Sequence, residues 1–151
     1  MNNQQKNQKN HDLAKILQED YKRFPRNQTY SIYAEDVYFK DPLNEFRGVK
    51  RYQKMIGFLS RFFGDVEMEV HDLSRDGQMI KTEWTLKMTT PLPWKPRLSI
   101  PGWSELKVNE DNLIISHIDR WHISPLSVLQ QNFLSVKFFR LKKRHNNRIV
   151  K

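Results

Sequence analysis

Two neighbouring segments alternate between apolar and polar residues, and this alternation limits the fold of the chain more than any other feature. In "DVEMEVHDL" every second residue from Val66 to Val70 is apolar, and in "MIKTEWTLKMTT" the pattern runs from Ile80 to Met88 with Thr82 as the one polar member. Such alternation is typical of strands with one buried face. The intervening "RDG" predicts a hairpin turn. The pair therefore needs other elements to cover its apolar side.

Two further segments extend the predicted sheet. "WSELKV" and "LIISHIDRWHI" have strand character, and "NEDN" between them is typical of a turn. The proline-rich "PLPWKPRLSIPG", residues 91–102, is predicted to be a connection that cannot lie in the centre of a sheet, because proline has no N–H to donate. Four strands joined as hairpins predict an antiparallel meander.

Helical spacing of apolar residues precedes the strands. Asp12 caps a predicted first helix, Thr29–Glu35 is predicted to be a second short helix, and a third covers about 48–62. Between the second and third lie a short strand, Val37–Lys40, and the turn "DPLNEFRG". After the sheet, Pro125 suits the first position of a final helix.

Helices that are separate from an antiparallel meander define the α+β class. The long strands must bury their apolar face beneath the three N-terminal helices. We therefore expect a curved antiparallel sheet wrapped on those helices, forming a cone with a cavity at its open end and followed by a C-terminal helix.

Composition limits the number of domains, the cysteine chemistry and the cellular location that we expect. A chain of 151 residues predicts one domain with one real core. It has no cysteine, which excludes disulfides, thiolate metal sites and cysteine nucleophiles. The polar start "MNNQQKNQKNHD" is not a secretory signal, and no stretch approaches the roughly 18 apolar residues of a membrane span. We expect a soluble, cytoplasmic protein.

The net charge of +9 belongs mainly to one end of the chain. Residues 137–151 hold seven of the 26 Lys and Arg and no acid, which leaves 19 basic and 17 acidic residues elsewhere. The predicted division is a disordered polar terminus at 1–11, the domain at 12–136, and a basic tail at 137–151. The tail is either solvated or in electrostatic contact with an anionic partner such as nucleic acid or a membrane surface.

The segments "YAEDVYFKDP" and "HIDRWHISPLSVL" carry a resemblance to a known superfamily. Over about residues 12–134 the chain resembles the nuclear-transport-factor-2-like (NTF2-like), or SnoaL-like, superfamily. With "DPLNEFRG", "WSELKV" and "SHIDRW", it further resembles an uncharacterised SnoaL-like family of cyanobacteria and plants. The resemblance implies the cone fold and a homodimer formed through the outer sheet face. It leaves function open, since the superfamily holds isomerases, cyclases, dehydratases, hydrolases, adaptors and binding modules.

Asp41 stands between a strand and a proline. The resemblance implies the position of the general base of ketosteroid isomerases, which moves a proton beside a carbonyl. Those enzymes also need oxyanion donors, but Ser104 stands where they have an acid, and Tyr21 matches their tyrosine only loosely. The other interpretation of Asp41 is a turn carboxylate that accepts backbone N–H groups.

His117, Asp119 and Trp121 share one strand face by the two-residue period, and the resemblance implies that they line the pocket. His117 beside Asp119 suggests an oriented base, in which the carboxylate determines the imidazole tautomer. Two alternatives stay open. The pair could be a polar lining hydrogen-bonded to Arg47, Tyr38 or water, or the whole face could point out of the cone.

A ligand in the pocket is predicted to contact Tyr38, Arg47, Trp84, Ser104 and Trp121. Arg47 could neutralise Asp41 or an anionic ligand. Trp94, in the proline-rich loop, could meet a membrane interface, gate the pocket or pack against a dimer partner. The histidines lack metal-ligand spacing, and no phosphate loop or dinucleotide fingerprint is present, so we expect neither metal nor cofactor.

Three hypotheses of function follow. The first is a module that binds a small, largely apolar molecule in the cone. The second is an isomerase or cyclase with Asp41 or the His117/Asp119 pair as base. The third is an adaptor whose sheet face and basic tail bind a protein, nucleic acid or membrane.

Overall fold

The computed structural model describes residues 2–133, and the order of elements there follows the predicted change from helical to alternating periodicity. The predicted tail at 137–151 lies outside the described residues. The helices are α1 (Asn3–Lys22), a 3₁₀ turn (Tyr30–Ile32), α2 (Val49–Phe62) and α3 (125–133). The strands are β1 (Tyr33–Lys40), β2 (Glu45–Arg47), β3 (Gly64–Asp76), β4 (Met79–Thr89), β5 (Arg97–Val108) and β6 (Ile114–Trp121). This arrangement confirms the α+β class.

Helix α1 begins well before Asp12, at Asn3, and so includes residues that the sequence assigned to a disordered terminus. That polar segment has no apolar periodicity to signal a helix, yet Gln and Lys are good helix formers. The buried face of α1 appears where predicted, since Leu13, Leu17 and Tyr21 are all buried. They pack against the inner face of the sheet.

The predicted second helix is wrong. Only Tyr30–Ile32 is helical, as one 3₁₀ turn, and Tyr33 already belongs to β1. The register of β1 against β6 is irregular between Tyr33 and Tyr38. This irregularity breaks the two-residue alternation and gave the segment an apparent helical spacing.

The predicted turn "DPLNEFRG" contains a short strand. Within it, β2 pairs antiparallel with β1, and only residues 41–44 form the turn. Gly48 follows with φ of 110°, a backbone conformation that favours glycine. Its N–H donates to Val37 O at 2.9 Å, and α2 begins at the next residue, as predicted.

The sheet is mixed rather than wholly antiparallel. Its strand order is β2-β1-β6-β5-β4-β3, in which β3 to β6 form the predicted meander and β1 lies parallel to β6. The parallel pairing sets Phe39 beside His117 in register. A strand from the helical half of the chain therefore borders the last strand.

The proline-rich prediction is wrong in its second half. Residues 97–102 open β5, which lies between β4 and β6. Pro101 is tolerated because its carbonyl points to the β6 side, where it accepts the N–H of His122 at 2.9 Å after β6 has ended. In an extended strand the N and the C=O of one residue point to the same side, so the missing N–H removes no bond to β4.

Helices α1 and α2 cover the concave side of the curved sheet. Alternation on β4 and β5 buries Ile80, Ile100 and Leu106 toward these helices. On the same face, Val128 of α3 packs with Met88 in a third apolar cluster. Within residues 2–133, no helix is long and apolar enough to cross a membrane.

Candidate functional site

The helices and the concave face of the sheet enclose a cavity of about 340 Å³. Leu43 and Phe58 border it and are 68% and 55% exposed, so they mark its opening. Its walls are mainly apolar and include Met55, Ile56, Leu86, Met88, Leu98 and Ile100. Among the residues that the structure describes, no Lys or Arg lines this space.

Three adjacent strands bring one polar cluster to the cavity wall. Ser104 on β5 lies directly opposite Thr82 on β4 and Asp119 on β6. Directly opposed side chains on one sheet face are close neighbours. Trp84 lies two residues along β4 from Thr82, on the same face. The alternation recognised in the sequence is thus what places these residues together.

A chain of hydrogen bonds connects the cluster. Trp84 Nε1 donates to Ser104 Oγ at 2.7 Å, and Ser104 Oγ donates to Asp119 Oδ1 at 2.6 Å. His117 Nε2 lies 2.8 Å from the same Oδ1. Two donors therefore converge on one oxygen of the carboxylate. Oδ2 has no hydrogen-bond partner among residues 2–133, and the Asp119 side chain, which lines the cavity, is 21% exposed.

His117 is held on both sides of its ring. Its contact with the Asp119 carboxylate assigns a hydrogen to Nε2, because a carboxylate oxygen only accepts. Nδ1 faces the hydroxyl of Tyr33 at 3.5 Å, and the two rings stack with 6.1 Å between centroids. Phe39 and Tyr52 border the imidazole as well. The side chain is only 5% exposed, so its orientation is set entirely by protein contacts.

Three tyrosines surround this cluster and stay protonated. Burial, with the negative charge of Asp119 next, raises the pKa of Tyr21 from 10.0 to about 12. Burial likewise raises the pKa of Tyr33 and of Tyr52 well above 10.0. The Tyr21 hydroxyl lies 3.4 Å from Thr82 Oγ1. The cavity floor therefore carries neutral hydroxyl groups around one carboxylate.

Asp41 borders the cavity, but its carboxylate holds the Asp-Pro turn. Oδ1 accepts the backbone N–H of Leu43 at 2.7 Å and that of Asn44 at 2.6 Å. The Asn44 side-chain amide donates to both carboxylate oxygens, at 3.1 and 3.0 Å. The contacts thus favour the turn interpretation over that of a general base.

Tyr38 and Arg47, both predicted to contact a ligand, lie away from the cavity. Val37 and Phe39 are buried on the inner face of β1, so Tyr38 between them points to the other side. There its hydroxyl donates to Glu45 at 2.7 Å, and the Arg47 guanidinium lies over its ring. Neither residue contacts His117 or Asp119, whose partners are Ser104 and Tyr33 instead.

The other predicted contacts are at the cavity. Trp84, Ser104 and Trp121 all line it, and His117 and Asp119 point inward rather than out of the cone. Trp94 is half-buried, and its Nε1 donates to Asn132 O of α3 at 2.6 Å, which ties the proline-rich loop to that helix. Within residues 2–133, no group of three or more His, Asp or Glu is placed to hold a metal ion.

Sequence reasoning missed Tyr33 and Tyr52 as members of the site. Tyr33 falls within the predicted second helix, and Tyr52 falls within the predicted third helix with no role at the site. A signal for Tyr33 existed in the run "YAEDVYFK", since tyrosine, valine and phenylalanine favour strands. The parallel pairing that brings β1 to His117 had no sequence signal.

The arrangement of sheet, helices and cavity defines a protein of the NTF2-like, SnoaL-like fold class. A protein with a ketosteroid isomerase-like fold from Catenulispora acidiphila, solved with trimethylamine, has a TM-score of 0.64 at 16% identity over 79% of this chain and 90% of that chain. An LEH-like epoxide hydrolase of M. tuberculosis has a TM-score of 0.67 at 12% identity over 87% of this chain and 97% of that chain. A SnoaL-like protein of Jannaschia sp. CCS1, proposed to be a polyketide cyclase, has a TM-score of 0.65 at 11% identity over 80% of this chain and 91% of that chain.

The chain belongs to the family described as "Uncharacterized conserved protein (DUF2358)", which matches residues 11–117. A comparison with curated proteins found no match. The identities to the solved structures are low enough that they show the fold alone. The match to the family ends at His117, so Asp119 and Trp121 lie beyond it. Function therefore has to be argued from the site.

Proposed function

We propose that this protein binds a small, largely apolar molecule in the cavity, with one polar end of that molecule at Asp119. The observation that carries the proposal is an apolar cavity of about 340 Å³ with a single hydrogen-bonded polar cluster in its wall. Apolar walls supply affinity through burial, and a few placed polar groups supply orientation. The fold class, with its isomerases, cyclases and hydrolases, is consistent with ligand binding.

The test is native mass spectrometry of the purified protein, followed by denaturing extraction of any molecule carried along. A discrete apolar mass at one copy per chain supports the proposal. Leu86→Trp would fill the cavity from its wall, whereas Leu126→Trp, on an exposed residue outside the lining, is the matched control. Leu86→Trp should lose the molecule and Leu126→Trp should keep it. Equal retention by both variants would place the molecule elsewhere.

Acid–base catalysis is the second candidate, and the geometry of Asp119 favours it. A carboxylate whose Oδ1 is held by two donors presents Oδ2 to the cavity as a base. His117 then orients the carboxylate rather than taking the proton itself. Any extracted molecule can be returned to the protein in D₂O. Incorporation of deuterium by the wild type but not by Asp119→Asn supports catalysis, and no incorporation favours binding alone.

A homodimer through the outer sheet face belongs to the same proposal. That face presents half-exposed Trp103 and Ile118. The native mass spectrum reports the oligomeric state directly, and Trp103→Glu should shift it to monomer.

An anionic partner of residues 137–151 is tested by deleting them, which should remove that contact and leave cavity properties unchanged. A cytoplasmic location stays a prediction of the sequence.

A further inference from the structure

The cavity is acidic although the chain as a whole is basic. The net charge is +9, yet the charged side chains among the described lining residues are only Asp41 and Asp119, apart from His117. The oxygens of Asp41 are taken up by donors of its own turn. Asp119 is therefore the carboxylate that a ligand inside the cavity would meet.

The groups bonded to Asp119 or to its partner Ser104 direct their hydrogens to protein acceptors. Ser104 donates to Asp119 and accepts from Trp84. Both ring nitrogens of His117 face protein groups, Asp119 and Tyr33. Tyr21 is paired with Thr82. At Asp119 the cavity wall thus offers a ligand an acceptor, Oδ2.

We propose that the ligand of this cavity is an apolar molecule with one hydrogen-bond-donating end, an amine, ammonium or hydroxyl group, bound to Asp119 Oδ2, and that carboxylates and phosphates are excluded. The inference rests on the proposed binding function and names the class of ligand. An ammonium or hydroxyl group gives Oδ2 the partner that it lacks. An anionic end would instead lie beside a carboxylate in an apolar space that has no Lys or Arg to neutralise it.

The test uses four probes of one shape: 2-naphthylmethylamine, 2-naphthylmethanol, 2-naphthoate and 2-methylnaphthalene. Each is titrated into the full chain, with the fluorescence of Trp84 and Trp121 in the cavity wall and calorimetry as readouts. A charge-assisted hydrogen bond predicts that the amine binds at least about tenfold tighter than 2-methylnaphthalene. The alcohol should fall between them, and naphthoate should be the weakest.

Equal or tighter binding of naphthoate would overturn this inference while leaving the binding function in place. Failure of all four probes, 2-methylnaphthalene included, would overturn both. Asp119→Asn should remove the preference for the amine, and Asp36→Asn, at an exposed β1 carboxylate outside the cavity, should keep it. The wild-type series decides the question without variants if Asp119→Asn does not fold.

Discussion

The sequence offers Asp41 as a general base and Asp119 as the carboxylate that orients His117, and in the structure the surroundings of the two carboxylates differ. The oxygens of Asp41 are occupied by Leu43 and Asn44, two and three residues along the chain. Asp119 is held by Ser104 from a neighbouring strand and by His117 from its own strand. One carboxylate serves a local turn, and the other depends on the correct register of the sheet.

The difference shows what makes a carboxylate available for chemistry. A turn saturates its aspartate with nearby backbone donors, which leaves little capacity for a ligand. A cross-strand cluster can hold one oxygen and leave the other open to a cavity, because its donors come from defined directions. Disturbing the sheet should therefore affect Asp119 far more than Asp41, and the following predictions separate the two.

The largest effect should come from Gly102→Ala. A Cβ on Gly102 would lie 2.5 Å from Arg120 O and 2.6 Å from the Trp84 ring, so the backbone or the ring that donates to Ser104 must shift. Overpacking of this kind should lower the free energy of unfolding by about 3 kcal/mol. Urea denaturation measures that loss, and reduced binding in the cavity should accompany it.

Gly57→Ala is the matched control. Gly57 lies on the exposed side of α2, where nothing approaches an added Cβ within 4 Å. The change should stabilise the protein by up to about 1 kcal/mol through helix propensity. If Gly102→Ala were as well tolerated as Gly57→Ala, the close packing of Trp84 on β5 would not support the cluster.

The sequence predicted the cluster better than the elements around it. Alternation in β6 was enough to place His117 and Asp119 on one face of that strand, although it left open whether this face points into the cone. The sequence did not place Tyr33 at the site, because its strand is irregular and pairs in parallel with a segment far along the chain. The prediction that residues 91–102 cannot lie in the sheet centre failed at Pro101, because it did not consider the side of the strand that the missing N–H would face.

The second-largest effect on stability should come from alkaline pH, which ionises Tyr21 beside the Asp119 cluster. Tyr21 has a folded pKa of about 12 against 10.0, so above pH 10 the unfolded chain releases a proton that the folded chain keeps. Stability from this group is complete below pH 10 and falls as pH rises toward 12, by between about 2 and 3 kcal/mol in total. Urea unfolding at a series of pH values measures the slope.

Tyr21→Phe should remove the contribution of one tyrosine from that slope and leave the part that Tyr33 and Tyr52 contribute. Tyr38→Phe is the control, since Tyr38 is near the Asp41 turn, outside the cavity, with its hydroxyl on Glu45. It should change the slope less, because the hydrogen bond to Glu45, more than burial, raises the pKa of Tyr38. An unchanged slope in Tyr21→Phe would contradict the burial argument.

The smallest changes in the free energy of unfolding should come from replacing the two aspartates. Here the rank order of the two changes is more informative than their size. Asp119→Ala leaves Ser104 and His117, which are 1% and 4% exposed, without their acceptor. This should cost about 2 kcal/mol, because water from the cavity can replace only part of the carboxylate. Asp41→Ala removes hydrogen bonds of an exposed turn and should cost about 1 kcal/mol.

Binding separates the two aspartates more sharply than stability does. Asp119→Ala should lose the amine preference of the naphthyl probes, whereas Asp41→Ala should retain most of it, since the Asp41 carboxylate is already satisfied by its turn. The reverse order in both stability and probe binding would mean that the turn carboxylate is the functional one. The local hydrogen bonds of Asp41 would then have to open for a ligand, and the cluster around Asp119 would be part of the core.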